Sequence, residues 1–263
     1  MEKIRAGEIE MAYQVSGAGH PLVMIQGLTA NMDWWDPWFI DRLSQRYRVV
    51  TFDNRGAGRT EGPEGDFSVA QFADDTALLM DALGIEQAFV LGYSMGGMIA
   101  QELALRHPDK VEKLVLCATN CGPSGSVNAS REILARLVDR SGTPEELVDR
   151  FVTLMFDRGF LAENTDMLDE FKRRCVIAPT SDHDAARQMM ATITFDTFDR
   201  LGDIGVPTQV ICGEEDILIP AENSRIIAGA VPGALLTEYP GAGHGFLFQC
   251  RDEFVADVLE FLG

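Results

Sequence analysis

Short apolar runs and amphipathic stretches alternate along the first half of the chain. The runs are rich in Val, Ile, Leu and Phe, as buried strands are, and the stretches between them carry apolar residues at helical spacing. Alternation of this kind predicts a mostly parallel sheet with crossover helices. We predict strands at 3–5, 9–15, 22–26, 49–52, 89–92 and 113–118, and helices at 68–83 and 95–106.

The pattern changes after Ala118. From about 125 to 200 only helical periodicity is present, over 131–140, 144–156, 167–175 and 185–194. Strands at 207–212 and 234–239 and helices at 221–230 and 253–262 then follow. We therefore predict an α/β core formed by residues 1–120 and 201–263, with about eight mostly parallel strands and flanking helices, and a helical insertion over 121–200, which is referred to below as the cap.

Charge and composition narrow the function classes. The formal net charge of −19 argues against nucleic acid, because phosphate binding needs clustered Lys and Arg. The charged N-terminus predicts no secretory signal, and no apolar run approaches the roughly 18 residues of a membrane span. Five scattered cysteines fit a reducing cytoplasm. We expect a cytoplasmic protein with a small-molecule substrate, without nucleic-acid or membrane partners; the oligomeric state stays open.

A nucleophile motif follows the predicted strand at 89–92. Residues 92–97 read GYSMGG and match G-x-S-x-G between a strand and a helix, which is the context that the motif requires. The glycines permit a sharp turn that projects the serine above the sheet. We predict Ser94 as the nucleophile and the Met95 N–H, at a helix N-terminus, as one oxyanion donor.

Four histidines compete for the role of base. His20 lies in an early turn, His107 ends a helix beside a proline, and His183 lies in the predicted cap. His244 directly follows the last predicted strand, at the edge of the sheet where sites in such folds form. Because the chain order must be serine, acid, histidine, we predict His244.

The acid must lie between Ser94 and His244, after a strand. Asp216 follows the strand at 207–212 and is our prediction, with Glu214 and Glu215 as rivals nearer the strand. The end of the preceding strand carries Thr119 and Asn120 instead of a carboxylate.

Further site residues come from the loop after the third strand and from the cap. Gly27 permits close backbone approach, so we predict the Leu28 N–H as the second oxyanion donor. One of the three tryptophans at 34, 35 and 38 is expected in the pocket wall, and part of the apolar stripe of the cap is expected to face it. The predicted substrate-binding residues are Trp34, Met155, Met189 and Phe246.

The motifs QGLTANMDWWDP, FDNRGAGRT, GYSMGG, GEEDILIP and GAGHGF together resemble those of the α/β-hydrolase superfamily. They are most similar to carboxylesterases and 3-oxoadipate enol-lactonase-like members. The resemblance implies the α/β-hydrolase fold over 1–120 and 201–263, with 121–200 as its cap. Many members have His-Gly where this chain has Gln26-Gly27. The hydrogen bonds that support the oxyanion loop in this chain therefore remain an open question.

These residues predict a serine hydrolase that cleaves a small, largely apolar carboxylic ester or lactone through an acyl-enzyme. The two Gly-x-Gly pairs, at 56–58 and 241–243, lack the other glycines of a dinucleotide-binding motif, and the cysteines and histidines do not have the spacing of metal ligands. We therefore expect no cofactor and no metal. A hydrolase of carbon–carbon bonds beside a ketone and a slow-turnover ligand receptor remain alternatives. An anionic lactone would need a cap cation, for which Arg187 and the basic run 172–174 are the candidates.

Overall fold

A computed structural model describes residues 1–263 and contains one eight-stranded sheet. The strands are β1 (Glu2–Ala6), β2 (Ile9–Ser16), β3 (His20–Ile25), β4 (Tyr47–Phe52), β5 (Ala88–Tyr93), β6 (Val111–Cys117), β7 (Thr208–Gly213) and β8 (Leu235–Tyr239). Their order across the sheet is β1-β2-β4-β3-β5-β6-β7-β8, and only the β1–β2 and β2–β4 pairs are antiparallel. The predicted fold class, a mostly parallel sheet with flanking helices, is confirmed.

Eleven α-helices accompany the sheet. They are α1 (Pro37–Ser44), α2 (Val69–Ala82), α3 (Met95–Arg106), α4 (Arg131–Val138), α5 (Pro144–Met155), α6 (Arg158–Glu163), α7 (Thr165–Cys175), α8 (Asp182–Thr194), α9 (Glu222–Ala230), α10 (Phe246–Gln249) and α11 (Arg251–Leu262). Helices α2, α3 and α9 contribute to one apolar cluster, and α1, α10 and α11 contribute to a second. The sheet is therefore covered on both faces, as a parallel sheet requires.

The segment between β6 and β7 carries α4–α8 and no strand. Thr143 and Glu146 form a reciprocal capping box at the start of α5. Helix α8 begins three residues earlier than the periodicity predicts, because the Ser181 side chain accepts the Asp184 N–H and caps it. Helices α1, α6 and α10 lie outside the predicted ranges; the last two, at six and four residues, are too short to show a period. Apolar side chains of α5 and α7 pack into the second core cluster, so the cap rests on the core.

Nowhere does the chain form a helix whose length and apolar character would allow it to cross a membrane. All five cysteines are free thiols, and four of them are buried.

Candidate active site

The turn between β5 and α3 holds Ser94 in an uncommon backbone conformation. Its φ is 57° and its ψ is −120°, a backbone conformation that residues other than glycine rarely adopt. Two of its hydrogen bonds involve the neighbouring strand β6 and the loop after it: the Ser94 N–H donates to the Cys117 carbonyl at 2.8 Å, and the Thr119 hydroxyl donates to the Ser94 carbonyl at 2.8 Å. The neighbouring strand β6 therefore supports the sharp turn that presents the Ser94 side chain.

The glycines of this turn are required by close packing. A Cβ on Gly92 would lie 2.2 Å from the Gly96 carbonyl oxygen, and a Cβ on Gly96 would lie 2.0 Å from the Ile25 carbonyl oxygen. Both obstacles are backbone atoms, which cannot move aside as a side chain could. The helix α3 thus approaches β3 and β5 more closely than any larger residue would allow.

Gly96→Ala is expected to lower the free energy of unfolding by about 3 kcal/mol or more, because the added methyl group forces backbone apart. Gly229→Ala is the matched control, since Gly229 also lies in a helix but has no atom within 4 Å of an added Cβ. That change should be neutral or stabilise by about 0.5 kcal/mol. Urea denaturation of both variants checks the prediction, and equal stability of the two would contradict it.

An acid–base pair lies at the carboxyl ends of β7 and β8. His244 Nδ1 lies 2.7 Å from Asp216 Oδ2, and both side chains are buried. The other carboxylate oxygen of Asp216 accepts the N–H groups of Leu218 at 2.8 Å and Ile219 at 2.9 Å. Every oxygen of this buried carboxylate is therefore paired, and the carboxylate holds the imidazole by one edge.

The rival acids and bases lie elsewhere. Glu214 and Glu215 are exposed to solvent. His20 pairs with Glu112 at 3.1 Å, His107 with Asp74 at 2.7 Å, and the His183 side chain is 69% exposed. Among the four histidines, His244 alone lines the cavity that Ser94 lines.

Tyr93 is a site residue that sequence reasoning missed. It occupies the variable position before Ser94, and its hydroxyl donates to the His244 carbonyl at 2.8 Å, with the two rings 5.0 Å apart. Burial raises the pKa of the Tyr93 phenol well above its ordinary value, so the group remains a protonated donor. Tyr93 therefore ties the nucleophile turn to the histidine loop.

The loop after β3 lies directly against Ser94. A Cβ on Gly27 would be 3.1 Å from the Ser94 Cβ and 3.6 Å from its Oγ. The N–H groups of Leu28 and Met95 donate to no acceptor within the chain, so both are free to bind a developing oxyanion. Gln26 is buried and accepts the Gly27 N–H through Oε1 at 2.9 Å.

A cavity of about 630 Å³ extends from Ser94 and His244 into the cap. Of its 38 lining residues 23 are hydrophobic, and the walls include Trp34, Met155 and Met189. Trp34 lies between Phe151, at a ring distance of 5.5 Å, and Phe171, at 5.8 Å. The cavity can therefore bind an apolar group of a small ligand beside the serine.

The prediction that Phe246 lines this cavity is wrong. Phe246 is fully buried between Tyr239 and Phe254, because the chain enters helix α10 directly after the histidine loop and turns this side chain into the core. The next two residues, Leu247 and Phe248, line the cavity instead.

The cap cations named from the sequence also lie outside the cavity wall. Arg187 stacks on Phe67 and donates to the carbonyls of Pro63 and Gly65, and the run 172–174 pairs with Asp149, Glu170 and the Asp33 carbonyl.

The arginines that do line the cavity are Arg136, Arg140 and Arg150. Arg140 pairs with Asp182 at 3.0 Å and Arg150 lies 3.8 Å from Asp139, whereas Arg136 donates to the Thr153 hydroxyl at 2.6 Å and has no carboxylate partner. No group of three or more His, Cys, Asp and Glu side chains is arranged to hold a metal ion.

The chain matches a known protein family. The family described as "alpha/beta hydrolase fold" matches residues 20–249. A relative from Azorhizobium caulinodans, named "Putative carbamate hydrolase RutD", is 30% identical over 263 residues, which span 100% of this chain and 98% of the relative.

Two solved structures are similar over nearly the whole chain. A hydrolase from Pseudomonas aeruginosa PA01 has a TM-score of 0.86 at 28% identity, covering 99% of this chain and 97% of its own. The enol-lactonase from Burkholderia xenovorans LB400 has a TM-score of 0.86 at 26% identity, covering 99% of both chains. The chain belongs to the α/β-hydrolase fold family, and its resemblance to enol-lactonase-like members is confirmed.

Proposed function

We propose that this protein is a serine hydrolase that cleaves a small, largely apolar carboxylic ester or lactone through an acyl-enzyme. One observation carries the proposal: Ser94 and the histidine of the His244–Asp216 pair line the same mostly apolar cavity. Leu28, whose N–H is free, also lines that cavity, and the free N–H of Met95 directly follows Ser94 in the chain. Nucleophile, base, orienting acid and oxyanion donors are the parts that acyl transfer needs.

The hydrogen-bond pattern supports a distinct role for each group in the proposed mechanism. Because His244 Nδ1 faces Asp216, its proton stays on that nitrogen and Nε2 is left to accept the proton of Ser94 Oγ. The serine oxygen then bonds to the carbonyl carbon, and the carbonyl oxygen gains negative charge that the two N–H groups stabilise. Collapse of this intermediate breaks the bond to the leaving alcohol, which takes the proton from His244. Water repeats the sequence on the acyl-serine and releases the acid.

The lining of the cavity favours an apolar acyl or alcohol group. Burial of apolar surface supplies about 25 cal/mol per Å² of area removed from water, and an aromatic and aliphatic wall provides that surface. Of the three cavity arginines, Arg136 on α4 has no carboxylate partner, so it is the one available to pair with a carboxylate of a substrate. A carbamate is the second candidate substrate, because the relative from Azorhizobium caulinodans is named a putative carbamate hydrolase. The same attack on the carbonyl carbon would cleave a carbamate.

A substrate panel tests the proposal. It contains 4-nitrophenyl esters of increasing acyl length, the matched N-alkyl carbamates with the same leaving group, neutral and carboxylate-bearing lactones, and a vinylogous diketone cleaved at a carbon–carbon bond. We expect kcat/KM of at least about 10⁴ M⁻¹s⁻¹ for an ester or lactone, and at least about tenfold less for the matched carbamate. Turnover confined to the carbamates or to the diketone would overturn the proposal. So would tight ligand binding without turnover of any ester, as a receptor would show.

A further inference from the structure

Helix α8 of the cap contacts two core loops through one buried polar side chain. Gln188 is 0% exposed, and its Oε1 accepts the N–H of Thr29 at 2.8 Å. Its Nε2 donates to the carbonyl of Arg55 at 3.0 Å. Gln188 thus joins the loop after β3 to the turn after β4, although the three segments are far apart in sequence.

A second cap residue binds the same point. The hydroxyl of Thr180, which is also buried, donates to the Thr29 carbonyl at 2.8 Å. Both backbone polar groups of Thr29 are therefore paired with side chains of the cap rather than with the core. Thr29 has a φ of 58°, a conformation that a β-branched residue adopts only when its surroundings impose it.

Thr29 directly follows Leu28, whose N–H is one of the two free donors beside Ser94. The other end of this loop is held by the core, since Asn54 donates to the Gln26 carbonyl at 2.9 Å and the Gln26 side chain takes the Gly27 N–H. The direction of the Leu28 N–H thus depends on the core before it and on the cap after it.

We propose that Gln188 and Thr180 are positioning residues for the oxyanion hole: by fixing both polar groups of Thr29 they hold the Leu28 N–H toward the oxygen that becomes charged. The cap then contributes to the reaction itself in addition to forming the cavity wall. This inference rests on the serine-hydrolase function proposed above.

The role has a kinetic signature. An oxyanion donor binds the charged oxygen of the transition state more strongly than the carbonyl of the bound substrate, so its misplacement lowers kcat more than it raises KM. It also weakens an inhibitor that forms an oxyanion on the serine. An alkyl trifluoromethyl ketone is such a probe, because its hemiketal oxygen occupies the hole.

The experiment compares Gln188→Met, Thr180→Val and Thr180→Ser on one activated ester, with inhibition by the trifluoromethyl ketone measured in parallel. We expect Gln188→Met and Thr180→Val each to lower kcat by about 10- to 100-fold with KM changed by less than about threefold. The inhibition constant should rise by the same factor as kcat/KM falls. Thr180→Ser keeps the donating hydroxyl and should stay within about threefold of wild type in all three quantities.

Gln209→Met is the matched control for the loss of a buried glutamine. Gln209 lies on β7, is 5% exposed, donates to the Thr237 hydroxyl at 3.3 Å and does not line the cavity. It should lower stability and leave kcat and the inhibition constant unchanged. The inference is overturned if Gln188→Met behaves like Gln209→Met, or, where Gln188→Met does not fold, if Thr180→Val and Thr180→Ser behave alike. A wild type that neither turns over esters nor reacts with a fluorophosphonate would overturn the proposed function itself, and the inference with it.

Discussion

Ser94→Ala is expected to lower turnover of an activated ester by about 10⁶-fold while leaving the protein folded. The serine hydroxyl is the nucleophile of the proposed mechanism, and without it no acyl-enzyme forms. The fold should persist because the hydrogen bonds that hold this residue use its backbone N–H and carbonyl, which alanine keeps. Steady-state kinetics and a thermal unfolding curve measure the two effects.

Ser224→Ala is the control for this change. Ser224 is a buried serine on α9 that does not line the cavity, so its loss should leave turnover within about twofold of wild type. Residual activity of Ser94→Ala above about one percent would show that a different group attacks the substrate.

Asp216→Asn is expected to lower kcat by about 10⁴-fold. The reason lies in the two N–H groups of Leu218 and Ile219, which both point at Asp216 Oδ1. In the variant the amide oxygen should keep that place, so the NH₂ group faces His244 Nδ1. A donor there forces Nδ1 to accept, moves the histidine proton to Nε2 and prevents it from taking the serine proton.

The exposed rivals supply the comparison for Asp216→Asn. Glu214→Gln and Glu215→Gln remove a charge from the same loop without touching the buried histidine, so both should retain kcat within about twofold. The opposite ranking, with Asp216→Asn active and Glu215→Gln inactive, would show that Glu215 is the acid and that the assignment to Asp216 is wrong.

The strands, most of the helices and the position of Ser94 could be predicted from local sequence patterns. A G-x-S-x-G turn depends on contacts between residues close in sequence and on the ends of one strand and one helix, so its residue types carry the whole signal. Asp216 was favoured over Glu214 and Glu215 but not separated from them, because three consecutive carboxylates after a strand look alike. The two N–H groups that bind Asp216 become visible only once the following turn is folded.

The errors and omissions arose where a side chain's direction depends on tertiary packing. Phe246 follows the histidine by two residues, but the short helix α10 rotates it into the core and presents Phe248 to the cavity. Gln188 stood at an unremarkable position of an amphipathic stretch. Its role rests on a contact with Thr29, 159 residues away in sequence, which periodicity cannot reveal.

The central claim is that Ser94 becomes covalently acylated. The most direct measurement is peptide mapping by mass spectrometry after the wild-type protein reacts with a fluorophosphonate. In parallel, the reaction with a chromogenic ester is quenched rapidly and mapped in the same way. The account predicts one phosphonyl group and one acyl group per chain, both on the peptide that carries Ser94, and neither in Ser94→Ala. Modification of another residue, or rapid ester turnover without any adduct on that peptide, would contradict it.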